Sequence, residues 1–229
     1  MKKMLLICAL FFALSETWSQ KIYSLSSGEM IFSWADVKYQ NDDIPVNLRF
    51  SMFFHWGQYW HVDVTNNIGL YSGFAIRNVG YITDQSNYKM KRRSYTIGVP
   101  IVLKIGAFSE NFYVFGGGEY ELLFHYKQKL FTDGEKRKFS EFFSDRTKRF
   151  IPSLFTGIQF PKGINIKFKY YLDNFLNDDF IGNDFGDLVN YSDYKQTQMY
   201  YISLSFNFKT SKGEKKAPDK TKAQYANLY

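Results

Sequence analysis

The 229-residue chain has a single cysteine, Cys8, in an apolar segment close to its start. One thiol cannot build a disulfide framework, and after removal of a leader none would remain for thiolate chemistry. Long hydrophobic runs are also missing. Beyond the first residues nothing approaches the ~20 consecutive apolar residues that a membrane helix needs, so a helical span is excluded. Histidine is scarce, with only His55, His61 and His125.

The chain opens with Lys2 and Lys3, an apolar core from Met4 to Leu14, and a polar run ending Thr17-Trp18-Ser19-Gln20. This is the pattern of a secretory signal peptide cleaved before Gln20. The expected organisation is a signal peptide at 1–19, one folded domain at 20–208 and a basic tail at 209–229. Removing Lys2, Lys3 and Glu16 lowers the formal charge from +7 to +6, so the location of charge matters more than its total. Aromatic residues make up 20% of the chain, which calls either for a large aromatic core or for aromatics facing something other than water.

Alternation with a period of two is the dominant pattern. In 93–107, Tyr95, Ile97, Val99, Ile101, Leu103 and Ile105 share one face, and Ser94, Thr96, Gly98 and Lys104 the other. After a tight connection at 108–111, Phe112, Val114, Tyr120, Leu122, Phe124 and Tyr126 oppose Glu119, Glu121, His125 and Lys127. Further strands are expected at 28–39, 46–56, 67–82, 150–160, 164–171 and 198–208. Pro100 lacks a donor and predicts a bulge or bend. A turn is expected from Gly57 to Asn66, with Trp56, Tyr59 and Trp60 gathered beside it. Residues 128–149 and 173–195 are expected to be long polar loops.

Eight strands, short connections on one rim and long ones on the other predict an all-β, eight-stranded antiparallel up-and-down transmembrane β-barrel with short periplasmic turns and longer extracellular loops. Its interior would be filled by side chains. The same alternation turned inside out describes a soluble lipocalin-like ligand-binding barrel. The leader, the rim asymmetry, the interfacial aromatics Trp56, Tyr59 and Trp60, and the final strand ending Phe206-Asn207-Phe208 favour lipid outside.

The segments Tyr95-Thr96-Ile97-Gly98-Val99-Pro100-Ile101 and Phe112-Tyr113-Val114-Phe115-Gly116-Gly117-Gly118-Glu119-Tyr120 resemble the outer-membrane β-barrel family of Bacteroidetes that includes PorT-like proteins. The resemblance extends over most of 28–208. It implies a small barrel in the bacterial outer membrane, with the C-terminal tail in the periplasm. It also implies a non-enzymatic role as an anchor or assembly component, linked through PorT to type IX protein secretion. The implied partners are outer-membrane lipid, the barrel insertion machinery and other outer-membrane or periplasmic secretion components.

If the alternation holds, Arg49, Arg77, Lys104, Lys127, Lys167 and Lys169 point inward with Glu119 and Glu121. Enclosed charges must pair or be hydrated. Six cations against two carboxylates leave an excess, to be met near the rims or by a bound anion. The loop at 173–195 carries Asp173, Asp178, Asp179, Asp184, Asp187 and Asp193, without the spacing of a calcium-binding EF-hand loop, so no metal is expected. The loop at 128–149 is basic through Lys129, Lys136, Arg137, Lys138, Arg146, Lys148 and Arg149. The two are expected to pair and cap one rim. A lipid-modifying barrel enzyme of the lipid A deacylase type is the alternative, but His125 is followed by Tyr126 and Lys127 rather than a serine two residues on. No nucleophile, base and orienting acid assemble, so no catalytic residue and no cofactor are expected. Export excludes a nucleic-acid partner.

Overall fold

The computed structural model describes residues 21–209 apart from Ser86 and Asp133; the expected signal peptide and nearly all of the tail lie outside these residues. The described chain is an antiparallel all-β structure. In chain order its strands are β1 (Lys21–Tyr39), β2 (Asp42–Asp43), β3 (Val46–Asn47), β4 (Arg49–Ser51), β5 (Trp56–Asp63), β6 (Ile68–Gln85) and β7 (Tyr88–Ala107). They continue with β8 (Phe112–Thr132), β9 (Glu135–Phe142), β10 (Phe150–Gln159), β11 (Ile164–Asn174), β12 (Ile181–Asp184), β13 (Asp187–Asn190) and β14 (Tyr194–Lys209). No helix among the described residues is long and apolar enough to cross a membrane, which has no bearing on crossing by strands.

Pairing closes on itself. The order runs β1, β5, β6, β7, β8, β10, β11, β14 and back to β1. A closed ring leaves no exposed ladder edge around its circumference. β2, β3 and β4 occupy the upper half of the place between β1 and β6 whose lower half β5 fills. The second stave therefore runs down to Asp63, and the expected turn at 57–66 is mostly strand. The connection is residues 64–67, where the amides of Val64 and Thr65 both donate to Ile68 O. It lies on the same rim as the short 3-10 turns Phe108–Glu110 and Pro161–Gly163. Gly163 takes a left-handed conformation at φ 87°, and a Cβ there would come 2.5 Å from Asn207 O.

Between β4 and β5 the stave bulges, with Phe54 at φ 64°. The bulge throws Met52, Phe53 and Phe54 outward and leaves part of β6 without a neighbouring strand. Side chains fill the gap: Arg49 Nη1 donates to Asn78 O at 3.1 Å, Asn78 N donates to His55 Nδ1 at 3.3 Å, and Ser33 Oγ donates to Gly80 O at 2.7 Å. A buried backbone group without a partner is costly, which explains why a cation and a histidine are spent here.

β7 alternates without a break, with Ile97, Val99, Ile101, Leu103 and Ile105 outside and Thr96, Val102 and Lys104 inside. Of the bulge or bend expected at Pro100, the bulge does not occur. Pro100 faces Glu119 in unbroken register with β8, and pairing to β6 lapses for two residues without changing register. Pro100 lacks the donor for that side of the ladder, and Ser72 Oγ reaches its carbonyl at 2.6 Å.

The irregularity lies instead at Phe124. Tyr95 pairs with His125 but Thr96 pairs with Leu123, leaving Phe124 as an extra residue. A one-residue insertion reverses the faces beyond it. Tyr126 and Gln128 consequently turn inward, whereas Lys127, expected inside, lies outside with Nζ 5.1 Å from the Tyr95 ring centroid.

The two expected long loops contain strands. Residues 128–132 prolong β8, and β9 folds back on them; β9 carries one phenylalanine on each face, Phe139 inward and Phe142 outward, so no apolar phase marked it. Within 173–195, β12 and β13 form a hairpin and Tyr191–Asp193 a 3-10 turn. Phe175, Leu176 and Tyr191 from this segment are buried against Val79, Tyr81 and Tyr126 of the ring.

Candidate functional site

The interior is built by inward positions of alternating strands, which fixes which side chains meet. Six charged groups form a chain of alternating sign. Lys167 Nζ lies 2.7 Å from Glu29 Oε1, and Glu29 Oε2 accepts from Arg77 Nε at 2.8 Å. Arg77 Nη1 donates to Glu119 Oε1 at 2.5 Å, and Glu119 Oε2 accepts from Lys169 Nζ at 2.6 Å. Lys169 Nζ also donates to Glu121 Oε1, whose carboxylate accepts from Tyr171 OH at 3.1 and 3.2 Å. These groups come from β1, β6, β8 and β11, so the chain of charges ties opposite walls of the ring.

All six are buried. Three cations meet three carboxylates, and the cluster carries no net charge. Desolvated ions are tolerated only when paired in good geometry with their remaining hydrogen bonds filled, and Tyr59 OH, 3.2 Å from Arg77 Nη2, supplies one more such contact. Room for the carboxylates depends on Gly98. A Cβ there would fall 2.0 Å from Glu119 Oε1.

A second pair closes the interior toward the short-turn rim. Lys104 Nζ donates to Asp63 Oδ1 at 2.5 Å and to Tyr23 OH at 2.8 Å, and sits 4.3 Å from the Phe108 ring centroid. Beside the main cluster is a small polar cavity of about 30 Å³, room only for water, with Ser27, Tyr71, Asn165 and Asn207 among its lining residues. His61 is stacked there between Tyr23 and Tyr71, at centroid distances of 5.0 and 4.4 Å.

Of the residues expected in an interior network, the structure brings together Arg77, Glu119, Glu121, Lys167 and Lys169. Lys104 sits apart with Asp63, Arg49 patches the second stave, and Lys127 is outside. The apparent excess of cations shrinks because Glu29 and Asp63 were overlooked and Lys127 lies outside, while Arg49 is held by Asn78 rather than by a carboxylate. Glu29 is in phase with Ile31 and Ser33 and was legible from alternation, whereas Asp63 was hidden in the residues read as a turn. Trp56 and Trp60 point outward on β5, flanking Phe74 at 5.5 and 5.9 Å, while Tyr59 between them points inward and leaves the expected interfacial set. A strand cannot present all three on one face.

At the long-loop rim the acidic and basic segments do meet. Arg146 Nε donates to Asp184 Oδ1 at 2.8 Å and Arg146 Nη2 to Asn183 O at 2.7 Å; Lys148 pairs with Asp178. Asp184 Oδ2 also accepts from Tyr191 OH at 2.6 Å and from Gln128 Nε2 at 3.2 Å. Burial pushes the Asp184 carboxyl upward, but the hydrogen bonds from Tyr191, Arg146 and Gln128 and the Arg146 charge outweigh it and hold it below the usual aspartate range. The hydrogen bond from Lys148 likewise draws Asp178 down against a smaller effect of burial.

The three histidines lie apart. His55 belongs to the bulge and His61 to the stack; His125 faces outward, with Nε2 2.8 Å from Ser140 Oγ and its ring against Phe142 at 4.0 Å. No group of three His, Cys, Asp or Glu side chains suited to a metal ion occurs among the described residues.

No protein-family model matches the chain, and no curated protein matches it in sequence. Solved structures similar to it include Ail of Yersinia pestis, crystallised with the heparin analogue sucrose octasulfate, at 13% identity over 81% of this chain and 99% of that one, TM-score 0.37. The outer membrane protein OprG of Pseudomonas aeruginosa is similar at 10% identity over 82% and 96%, TM-score 0.36. Neisserial surface protein A is similar at 9% identity over 84% and 99%, TM-score 0.38.

Proposed function

We propose that the chain is a β-barrel of the bacterial outer membrane that acts without catalysis, as an anchor or assembly component offering its rims and capped loops to partners. The observation that carries this reading is the reversal of polarity across the wall. Outside, Ile97, Val99, Ile101 (74% exposed), Leu103 and Ile105 of β7 continue around the ring into Leu154 and Ile158 of β10, Ile166 and Phe168 of β11, and Ile202 and Phe206 of β14. Inside are the paired ions. In water so wide an apolar exterior would drive association; in lipid it is the expected face of a barrel. The run from Tyr95 to Ile105 matches the ~9–11 residues that a tilted transmembrane strand needs.

A neutral, filled interior fits an anchor better than a channel or a ligand carrier. A place in type IX secretion, with secretion components as partners, is the specific form suggested by the resemblance to PorT-like proteins. It is tested by crosslinking in cells and identification of the crosslinked chains. The barrel itself is tested by membrane fractionation with gel migration before and after heating. A mature chain that remains monodisperse in buffer without detergent overturns it.

One observation favours a second reading, a lipid-modifying enzyme. Ser140 lies against His125, supplying from β9 the hydroxyl that the residues after His125 do not. Against it, the other contacts of the His125 ring are Tyr95 and Phe142, and neither is a carboxylate that could orient the imidazole as a hydrolase needs. Unchanged outer-membrane lipid in a Ser140→Ala strain removes this reading.

A further inference from the structure

Beyond Tyr95 and Phe124 the strands β7, β8 and β9 continue past the apolar run as a three-stranded sheet. Register places like charges opposite one another on its outer face. Lys91 pairs with Lys129, which pairs with Lys138; Arg93 pairs with Lys127; Lys136 adjoins through Phe131, whose ring centroid lies 5.3 Å from Lys91 Nζ and 5.5 Å from Lys136 Nζ. None of these six cations has an ion pair among the described residues. The carboxylates of the adjoining strands are engaged elsewhere, Asp84 with Lys89, Glu135 with Arg137 and Glu141 with Arg146. Cross-strand like charges destabilise a sheet, so the ladder gains nothing from setting Lys91, Lys129 and Lys138 side by side.

We propose that this face is a docking surface for the phosphate groups of an anionic glycolipid in the outer leaflet, its acyl chains lying along the apolar wall below. The proposal rests on the membrane reading above. Two observations select a lipid over a soluble anion. The cations begin one row above Tyr95, His125 and Phe142, where the exterior changes from apolar to charged. Lys91, Lys129 and Lys138 lie side by side across three neighbouring strands, so phosphates held at their level meet several cations at once, as at the charged surface of a membrane. Burial and the charges of Arg93, Lys136, Lys138 and Lys91 together hold the Lys129 ammonium below the ordinary lysine range, the response of a site with surplus positive charge.

The test uses the full chain in phosphatidylcholine vesicles containing either bis-phosphorylated lipid A or its dephosphorylated form, with the lipid co-extracted with the protein counted by native mass spectrometry. Retention of the phosphorylated form is expected to be about tenfold higher at low salt, and the preference is expected to collapse in a Lys91→Gln, Lys129→Gln, Lys138→Gln variant. A Lys38→Gln variant, altered on another stave, is expected to keep it. Equal retention of the two lipids, or a preference that survives the triple substitution, overturns the proposal. Binding of soluble polyphosphate without lipid discrimination also overturns it and makes the partner a soluble polyanion. Protease protection and heat-modifiable migration are read on the same samples. Failure to insert therefore sinks the membrane reading and this proposal together, whereas insertion without discrimination sinks the proposal alone.

Discussion

Lys169 and Lys129 sit on opposite sides of the same wall. Lys169, on β11, is completely buried between Glu119 and Glu121. Lys129, on β8, is partly exposed and flanked across the sheet by Lys91 and Lys138. Inside, desolvation forces every cation to find acceptors: the six groups of the main cluster balance, while Arg49 is met by Asn78 and Arg92 by Tyr194 OH. Outside, water and salt screen the charges, so repulsion is mild and cations can accumulate for another purpose. Charge placement in the interior answers to stability, and on the upper exterior it answers to whatever the surface meets.

That contrast is broken most severely at Arg77, which touches Glu29, Glu119 and Glu121. Arg77→Met leaves carboxylates buried with too little positive charge and is expected to cost about 3–5 kcal/mol, measured as a fall in the denaturant midpoint of refolding into detergent micelles. Adding Glu119→Gln should recover part of the loss. If the double variant is no more stable than Arg77→Met, the alternating chain of charges is not the unit that matters.

Gly98→Ala should cost about 1–3 kcal/mol by overpacking, because the added methyl collides with a carboxylate that Arg77 and Lys169 hold in place. The same assay with Gly98→Ala in a Glu119→Gln background separates steric crowding from loss of the ion pair. A cost unchanged by the second substitution points to the backbone.

The long-loop cap lies between these extremes, half buried and still ionic. With the folded carboxyl of Asp184 held below its unfolded value, its contribution to stability is complete above the ordinary aspartate range. It is lost as pH falls through the folded value. Tyr194 packs beside Tyr126 and Tyr191, its ring centroid 5.5 Å from that of Tyr191, and the near-ultraviolet circular dichroism of these three is expected to stay constant from neutral pH to about 4 and to decay below. Asp184→Asn should cost about 1–3 kcal/mol at neutral pH and flatten that decay. A decay identical in the variant would assign it to other carboxylates. Because Arg146 and Asp184 are buried while Lys148 and Asp178 are more exposed, salt alone should loosen the cap little.

Sequence made most of the wall legible, because alternation reports directly which face is wet. It worked for β7 and β10, and for the expected spans 164–171 and 198–208 of β11 and β14, where one phase holds. It failed where the decisive fact lies on a neighbouring strand. The bulge at Phe124 exists only relative to Tyr95 and Thr96, so nothing local warned that Lys127 leaves the interior. The interruption at 52–55 reads locally as continuous alternation, so a turn was placed too early and Asp63 was lost as the partner of Lys104. Glu29 is different, since it lies within the expected first strand and went unnoticed only because the apolar face of Met30, Phe32 and Trp34 was traced and the opposite face was not. The polar hairpin arm β9 has no apolar phase and is held by its ladder with β8.

The smallest effect sharpens the comparison most. A single Lys129→Thr removes the central cation of the Lys91, Lys129 and Lys138 row and places a β-branched residue on a strand. It should raise stability by about 0.2–1 kcal/mol at low salt, with the gain fading above roughly 0.5 M salt as screening removes the repulsion. Lys169→Thr at the same measured midpoint should lose several-fold more. If Lys129→Thr is instead destabilising, the row is held by contacts within the chain and the two sides of the wall obey one rule. If it stabilises, the fold is retaining a lysine that weakens it, as a surface shaped for an anionic partner would.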